Sequence, residues 1–393
     1  MSESPILVDG SWGEGGGQIL RTSLTLSLVT GRPVFIHNIR AGRSEPGLRP
    51  QHLVAVEAAR TVVGGRAEGA SIGSISLRFF PRAGEPATPQ APAAASTQPS
   101  RPGGPPAPSV QPGDYRFRIA TAGSTSLVLE TLVPALALAA GDSTITVSGG
   151  THVPWAPTFD YLARHWVVML ARLGLEVEAR LEQAGFYPRG GGSVTVRVPG
   201  CPAEKAGRPM RARGADRVKP LEALERGTFE RAAGVSLVSE LPRHIAERQA
   251  RELERGLRQL GLQDAHGEIA VEEVAPRAVG PGTAVYVEAQ FSNGRAAFTA
   301  LGERGKQAEH VAREALNELA RYLKTEAAFD YHLADQLLVP LALASGESRF
   351  TTNAVSEHLL TNAHVINLFL GPVVEVRGKV GEPGEVRVTP SGS

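Results

Sequence analysis

The chain is 393 residues long, with 41 Lys+Arg against 40 Asp+Glu and 42% apolar residues, enough for two domains or for one large domain with an insert. So even a balance supplies no global field toward nucleic acid or membrane, and any RNA contact must come from a local basic patch. A single cysteine, Cys201, excludes an intramolecular disulfide and every multi-cysteine zinc pattern, while the lack of a basic-then-apolar leader and of any run near ~20 apolar residues predicts a cytoplasmic protein with no membrane association.

In chain order, the first signal is Ile6-Leu7-Val8, then Asp9-Gly10-Ser11-Trp12-Gly13-Glu14-Gly15-Gly16-Gly17-Gln18, then a helical pattern from Ile19 to about Val29. This reads as strand, glycine loop and helix. Glycine allows backbone amides to approach a ligand, but no Gly-Lys-Ser/Thr follows and Gln18 stands where a dinucleotide fingerprint has its third glycine, so neither nucleotide motif is met. Arg21 lies near the helix start, on the side that faces back toward the loop.

A short strand, Val34-Phe35-Ile36, precedes Arg40-Ala41-Gly42-Arg43-Ser44-Glu45-Pro46-Gly47-Leu48-Arg49-Pro50-Gln51-His52. Glycine and proline hold these arginines on a loop, where guanidinium forks suit phosphate oxygens; ordinary surface arginines are the competing reading. Pro50 fits the first position of a helix running to about Val63, which sets Gln51 and His52 at an anion-friendly helix start. His52 is equally readable as a packed or capping histidine.

From Arg82 to Gly113 the composition turns to Pro, Ala, Gly, Ser, Thr and Gln, so this stretch is expected to be a disordered or polyproline-like loop with no core. An apolar helix end, a glycine and a strand recur at Leu24–Ile36, at Leu132–Val147 and at Leu338–Phe350. Three copies of an α/β unit follow from that recurrence, with extra sequence lodged before the third. The extra sequence, about 212–324, has strand-like stretches from Phe229 to Leu241 and around Ile269–Val274, Ala284–Phe291 and Ala296–Ala300. Two helices, one striped with Ala246, Ala250, Leu253, Leu257 and Leu260 and one with Val311, Ala315, Leu319 and Leu323, complete an inserted α+β domain. The large domain is then 1–211 together with 325–393.

Near the end, Ser356 is a good N-cap for an amphipathic helix beginning at Glu357, with His358 in its first turn. Backbone N–H groups and the helix dipole there attract anions and disfavour imidazolium, so a neutral ring can meet a phosphate. A capped helix with a partly exposed histidine is the plain alternative.

Gly13-Glu14-Gly15-Gly16-Gly17-Gln18-Ile19-Leu20-Arg21, Ile39-Arg40-Ala41-Gly42-Arg43, Pro46-Gly47-Leu48, Gln51-His52-Leu53, Gly185-Phe186-Tyr187-Pro188-Arg189-Gly190-Gly191-Gly192, Leu333-Ala334-Asp335-Gln336 and His358-Leu359-Leu360-Thr361-Asn362 together resemble the RNA 3′-terminal phosphate cyclases, over nearly the whole chain except Arg82–Gly113. The resemblance implies an α/β fold of three repeated βαβαββ-like units, related to the enolpyruvyl transferases, with a smaller α+β domain inserted between the second and third. It implies an ATP-dependent ligase, with Mg or Mn, that turns an RNA 3′-phosphate into a 2′,3′-cyclic phosphate through histidyl-AMP and RNA-(3′)pp(5′)A. The family's nucleophile falls on His358; its metal-holding glutamate on Glu14; its phosphate grips on Arg21, Arg40 and Arg43, with Gln51 and His52 nearby. The adenosine position falls near Glu130, Pro157, His332, Leu333, Ala334, Asp335 and Gln336. Glu130 stands where the family usually has glutamine, and His332 where an aromatic ring commonly stacks on adenine. The implied partner is RNA with a 3′-phosphate, and a homodimer is compatible with the family. A catalytically silent ribosome-assembly relative, an enolpyruvyl transferase and an RNA-binding scaffold are the alternatives; His358, Glu14 and Arg21 argue against silence.

Overall fold

A computed structural model describes residues 4–81, 110–202, 204, 208–262, 269–273 and 278–390. Three of its sheets are built to one plan. The first unit runs β1 (Ile6–Asp9), α1 (Gln18–Thr30), β2 (Val34–His37), α2 (Pro50–Val63), β3 (Arg66–Glu68) and β4 (Leu77–Phe80), in the spatial order β1-β2-β4-β3. β1 and β2 are parallel across the α1 crossover, and β4 runs antiparallel to both β2 and β3. Each helix ends at a glycine in the left-handed region, Gly31 and Gly64, whose N–H closes on a carbonyl one turn back.

The second unit repeats that order with β5 (Asp114–Arg118), α3 (Thr125–Leu136), β6 (Ser143–Gly149), α4 (Phe159–Tyr161) passing through a π turn (Leu162–Trp166) into α5 (Val167–Arg172), β7 (Glu178–Gln183) and β8 (Gly192–Val198). After α6 (Met210–Arg217) comes β9 (Glu222–Ala223), which pairs in parallel with β14 (Ser348–Thr352) far downstream. β14 leads to α11 (Glu357–Leu370), β15 (Val374–Arg377) and β16 (Gly384–Val388), and the order β9-β14-β16-β15 is the same again.

Between β9 and β14 lies a fourth sheet of β10 (Phe229–Ser239), β11 (Ile269–Glu273), β12 (Gly282–Phe291) and β13 (Arg295–Leu301), backed by α7 (His244–Gln259) and α8 (Ala308–Leu323). Two short helices, α9 (Tyr331–Gln336) and α10 (Leu338–Leu341), return the chain to β14. This is the mixed α/β architecture that the sequence predicts. Near the expected start of the insert at residue 212, Arg213 Nη1 donates to the Leu138 carbonyl at 2.8 Å, and Glu222–Ala223 pairs with β14, so these residues are tied to the three like sheets.

One core joins the three units, with Val8, Leu24, Leu132, Ile145, Leu341, Phe350 and Ile366 all fully buried in it. A second core, around Leu253, Val287, Leu316 and Tyr322, lies beneath the fourth sheet. A third small cluster packs Tyr161 and Phe186 against Val235, Leu237 and Tyr286, which seats the fourth sheet on the second unit.

Of the Pro/Ala-rich segment, residues 82–109 lie outside the described residues. Its last four residues, 110–113, are not the coreless loop expected of them. Val110 is buried among core residues, and the Gln111 N–H donates to the Val62 carbonyl at 2.7 Å, so burial of one valine anchors the chain before β5 begins.

Candidate active site

Ser356 caps α11 as its sequence suggests: its Oγ accepts from the Leu359 N–H at 3.0 Å. His358 therefore stands in the first turn, facing a cleft of about 1300 Å³. Burial holds its imidazole below the ordinary histidine range; the nearby Asp335 carboxylate pulls it up, and Arg21 and Arg43 push it down.

The glycine loop before α1 lies against this helix. His358 Nε2 is 2.5 Å from Glu14 Oε2, and Arg43 pairs with the other oxygen of the same carboxylate. Glu14 Oε2 is nevertheless buried without a well-aligned hydrogen bond. Gly13 has φ of +57°, and a Cβ there would come 2.7 Å from Thr361 Oγ1. Only glycine lets the loop lie so close to α11 without strain.

A buried amide ties α11 to the rest of the cleft. Asn362 Oδ1 accepts from Gln18 Nε2 at 3.0 Å and from Thr22 Oγ1 at 2.5 Å, and its Nδ2 donates to the Asp335 carbonyl at 3.1 Å. α1, α9 and α11 are thus held by one side chain one turn beyond His358. Gln18 also accepts from Arg21.

The arginines converge, though not equally free. Arg21, Arg40 and Arg43 all line the cleft, as does Arg49. Arg40 Nη1 is committed to the Glu45 and Gly47 carbonyls at 2.7 and 3.0 Å and so shapes its own loop. Gln51 faces the cleft while its Oε1 accepts from the Ser124 N–H at 3.1 Å, joining the starts of α2 and α3. His52 Nδ1 accepts from the Arg49 N–H at 3.1 Å, the capping role that the sequence left open. Burial first, then Arg21, Arg40 and Arg49, press the His52 pKa down to about 3, so the ring is neutral.

On the opposite wall, Glu130 Oε1 accepts from Gln336 Nε2 at 2.9 Å. Burial pushes the Glu130 carboxyl up to about 8, against the pull of Arg21 and with a further push from Asp335. At neutral pH it is mostly a carboxylic acid, close in shape and charge to a glutamine amide. Asp335 is raised to about 6, again chiefly by burial, with His358 and Arg21 opposing. Gln336 Oε1 is buried with no partner.

Pro157, His332, Asp335 and Gln336 line the cleft. Leu333 and Ala334 do not: both are fully buried in the main core. The reason is helical. Positions 332, 335 and 336 share one face of α9, and 333, 334 and 337 point the other way. That i, i+3, i+4 spacing is visible in the sequence and separates the two sets.

Sequence reasoning missed two contacts. The Trp12 indole, in the glycine loop, stacks on His364 of α11 with centroids 4.1 Å apart and planes 8° from parallel, so it clamps the loop to the helix that bears His358. Asp330 caps α9 through the His332 and Leu333 N–H groups, both at 3.0 Å, while accepting from Tyr161 and bonding His165 Nε2 at 2.8 Å. The sequence signal for that cap is an aspartate one residue before the helix.

The fold and cleft define an α/β protein of three like units around an arginine-lined pocket, with a histidine at a helix start. The family model described as RNA 3′-terminal phosphate cyclase matches residues 12–376. Curated relatives carry the same name: one from Thermococcus gammatolerans is 42% identical, covering 97% of both chains. Another, from Pyrococcus furiosus, is 39% identical over 98% of both, and one from Trichormus variabilis is 39% identical over 92% of this chain and 93% of its own. The chain belongs to the RNA 3′-terminal phosphate cyclase family.

Proposed function

We propose that this protein is an ATP-dependent enzyme that converts RNA 3′-phosphate ends to 2′,3′-cyclic phosphates, with His358 as nucleophile. The observation that carries the reading is the position of His358, in the first turn of α11 and facing a cleft lined by Arg21, Arg40 and Arg43. An imidazole nitrogen freed of its proton has a lone pair with which to attack, and the surrounding cations favour the approach of a polyphosphate.

In the first step the His358 nitrogen attacks the α-phosphorus of ATP, and the bond to pyrophosphate breaks. The Glu14 carboxylate has to turn away from Nε2 for that attack, since it sits 2.5 Å from the nitrogen. An oxygen of the RNA 3′-phosphate then attacks the phosphorus on His358; the P–N bond breaks and RNA-(3′)pp(5′)A forms. Last, the adjacent 2′-oxygen attacks the 3′-phosphorus, loses its proton and expels AMP. Arg21 and Arg43 counter the charge of the phosphates throughout. Adenosine fits the wall of Glu130, Pro157, His332 and Gln336, all of which line the cleft.

A divalent ion would be held by Glu14, whose Oε2 lacks a hydrogen bond, and would neutralise charge on the leaving pyrophosphate. Among the described residues no group of three or more His, Cys, Asp or Glu is placed to hold a metal. Mg or Mn held there would draw its remaining ligands from ATP phosphates and water. The fourth sheet with its helices, β10 to α8, is proposed to be an inserted domain of this catalytic body.

The test is incubation with α-labelled ATP followed by denaturation. An acid-labile label on His358 supports the reading; label on another residue, or none, refutes it.

A further inference from the structure

The rim of the cleft displays two large apolar side chains that nothing in the described chain covers. Trp155 is 99% exposed and Tyr187 is 65% exposed, and both line the cleft mouth. Scattered exposed apolar residues are ordinary. These two are set apart by how they are held.

Trp155 has φ of +64°, a conformation that a bulky residue adopts only where its surroundings impose it. Its loop is pinned at both ends. His152 Nε2 and Asp160 Oδ2 meet at 3.0 Å in a buried pair, and the Phe159 N–H donates to the Thr151 carbonyl at 2.9 Å. Pro154 and Pro157 stiffen the chain between. The Tyr187 loop is clasped to the same base: the Gly185 carbonyl accepts from the Thr151 and His152 N–H groups at 2.8 and 3.1 Å, and the His152 ring stacks on Phe186 with centroids 5.0 Å apart. Burying an indole against nearby apolar surface is favourable, so a slack loop would fold Trp155 down. This one holds it out.

Flat rings at the mouth and arginines within match the chemistry of one partner, single-stranded nucleic acid, whose bases stack on aromatic side chains while its phosphates seek cations. We propose that Trp155 and Tyr187 form a stacking platform for the bases just upstream of the RNA 3′ end, gripping them without regard to base identity. The proposal rests on the reading of the cleft as the site of RNA 3′-phosphate cyclisation. Adenine of ATP is the rival occupant. The wall suited to it, by Pro157 and Gln336, is recessed, whereas the Trp155 ring stands clear of the protein.

The test uses the full-length protein with Trp155→Ala, Tyr187→Ala and Trp155→Phe. Binding of a fluorescent, 3′-phosphorylated ten-nucleotide RNA is followed by anisotropy, and adduct formation from α-labelled ATP is measured beside it. Stacking on one ring is worth roughly five- to a hundredfold in affinity. We expect Kd to rise by about tenfold in each alanine variant, alike for A-, U- and C-ended RNAs, with Trp155→Phe close to wild type and adduct formation within about twofold. Unchanged RNA affinity overturns the platform. Loss of adduct formation in Trp155→Ala, with RNA affinity kept, overturns it too and assigns the ring to the nucleotide. Failure of the wild type to form any adduct counts against the cyclisation reading alone, because the anisotropy measurement needs no activity.

Discussion

Replacing Glu130 with glutamine removes a buried carboxyl while keeping its shape. In the wild type this group accepts from Gln336 at 2.9 Å and is pushed up to about 8, mainly by burial. In the unfolded chain it titrates near 4.5. Between those values the native state holds a proton that the unfolded state has released, so stability falls as pH rises through the window and levels off above the folded value. A displacement from 4.5 to about 8 corresponds to about 5 kcal/mol. Because the side chain keeps some contact with the cleft, about 2–4 kcal/mol is expected in practice. Glutamine is neutral in both states. Glu130→Gln should therefore match the wild type near pH 5 and exceed it by that amount near pH 9, read from urea unfolding at fixed pH. ATP binding should be almost unaltered at pH 7, where the wild-type group is mostly protonated, and tighter in the variant at pH 9, where a repelling charge has been removed. A stability difference that stays constant from pH 5 to 9 would refute the reasoning. So would weaker ATP binding at pH 7, which would mean that the carboxyl makes a contact an amide cannot.

Other changes probe the rest of the cleft. His358→Ala should fold and bind ATP but form no protein-AMP adduct, while still cyclising RNA adenylylated beforehand, since that step needs only orientation of the 2′-OH; adduct persisting in this variant would remove His358 as nucleophile. Alanine at Arg21 or Arg43 should slow adduct formation by roughly ten- to a hundredfold, with partial rescue by lysine, which lacks the fork; Arg40→Ala should show the same loss plus a lower thermal midpoint, because Arg40 also holds the Glu45 and Gly47 carbonyls. Gly13→Ala should cut adduct formation at least about tenfold, since its Cβ would meet Thr361 Oγ1 at a strained φ; normal kinetics would show that the loop is not held against α11. Residues 82–109 should be replaceable by a short Gly/Ser turn with cyclisation and thermal midpoint nearly unchanged: the Gln111 N–H bonds Val62 at one end and Pro81 packs by Gly65 at the other, so the ends are close. A large loss of either property would make the segment a working part.

Much of this protein is legible in its sequence because the signals are local. Ser356 before Glu357, Pro50 at a helix start, glycines after Thr30 and Val63, and the apolar stripes of α7 and α8 each act within a turn or two of chain, and the elements begin and end accordingly. The motifs around Glu14, Arg43 and His358 likewise carry the family resemblance without any knowledge of contacts. Other features depend on which distant residues meet. Two residues, Glu222 and Ala223, are too short a strand to show any pattern, and only pairing with β14 makes them the third unit's first strand. Trp12 meets His364, and Asn362 meets Gln18 of α1, across hundreds of residues of chain, and the same Asn362 also holds α9 through the Asp335 carbonyl. The protonation of Glu130 is the sharpest case. Its sequence neighbours say nothing of a displaced pKa, because the displacement comes from the water excluded and the charges assembled when α3, α9 and the start of α1 close around it; solvation and Coulomb interactions act through space, and only the tertiary structure decides what lies within their reach.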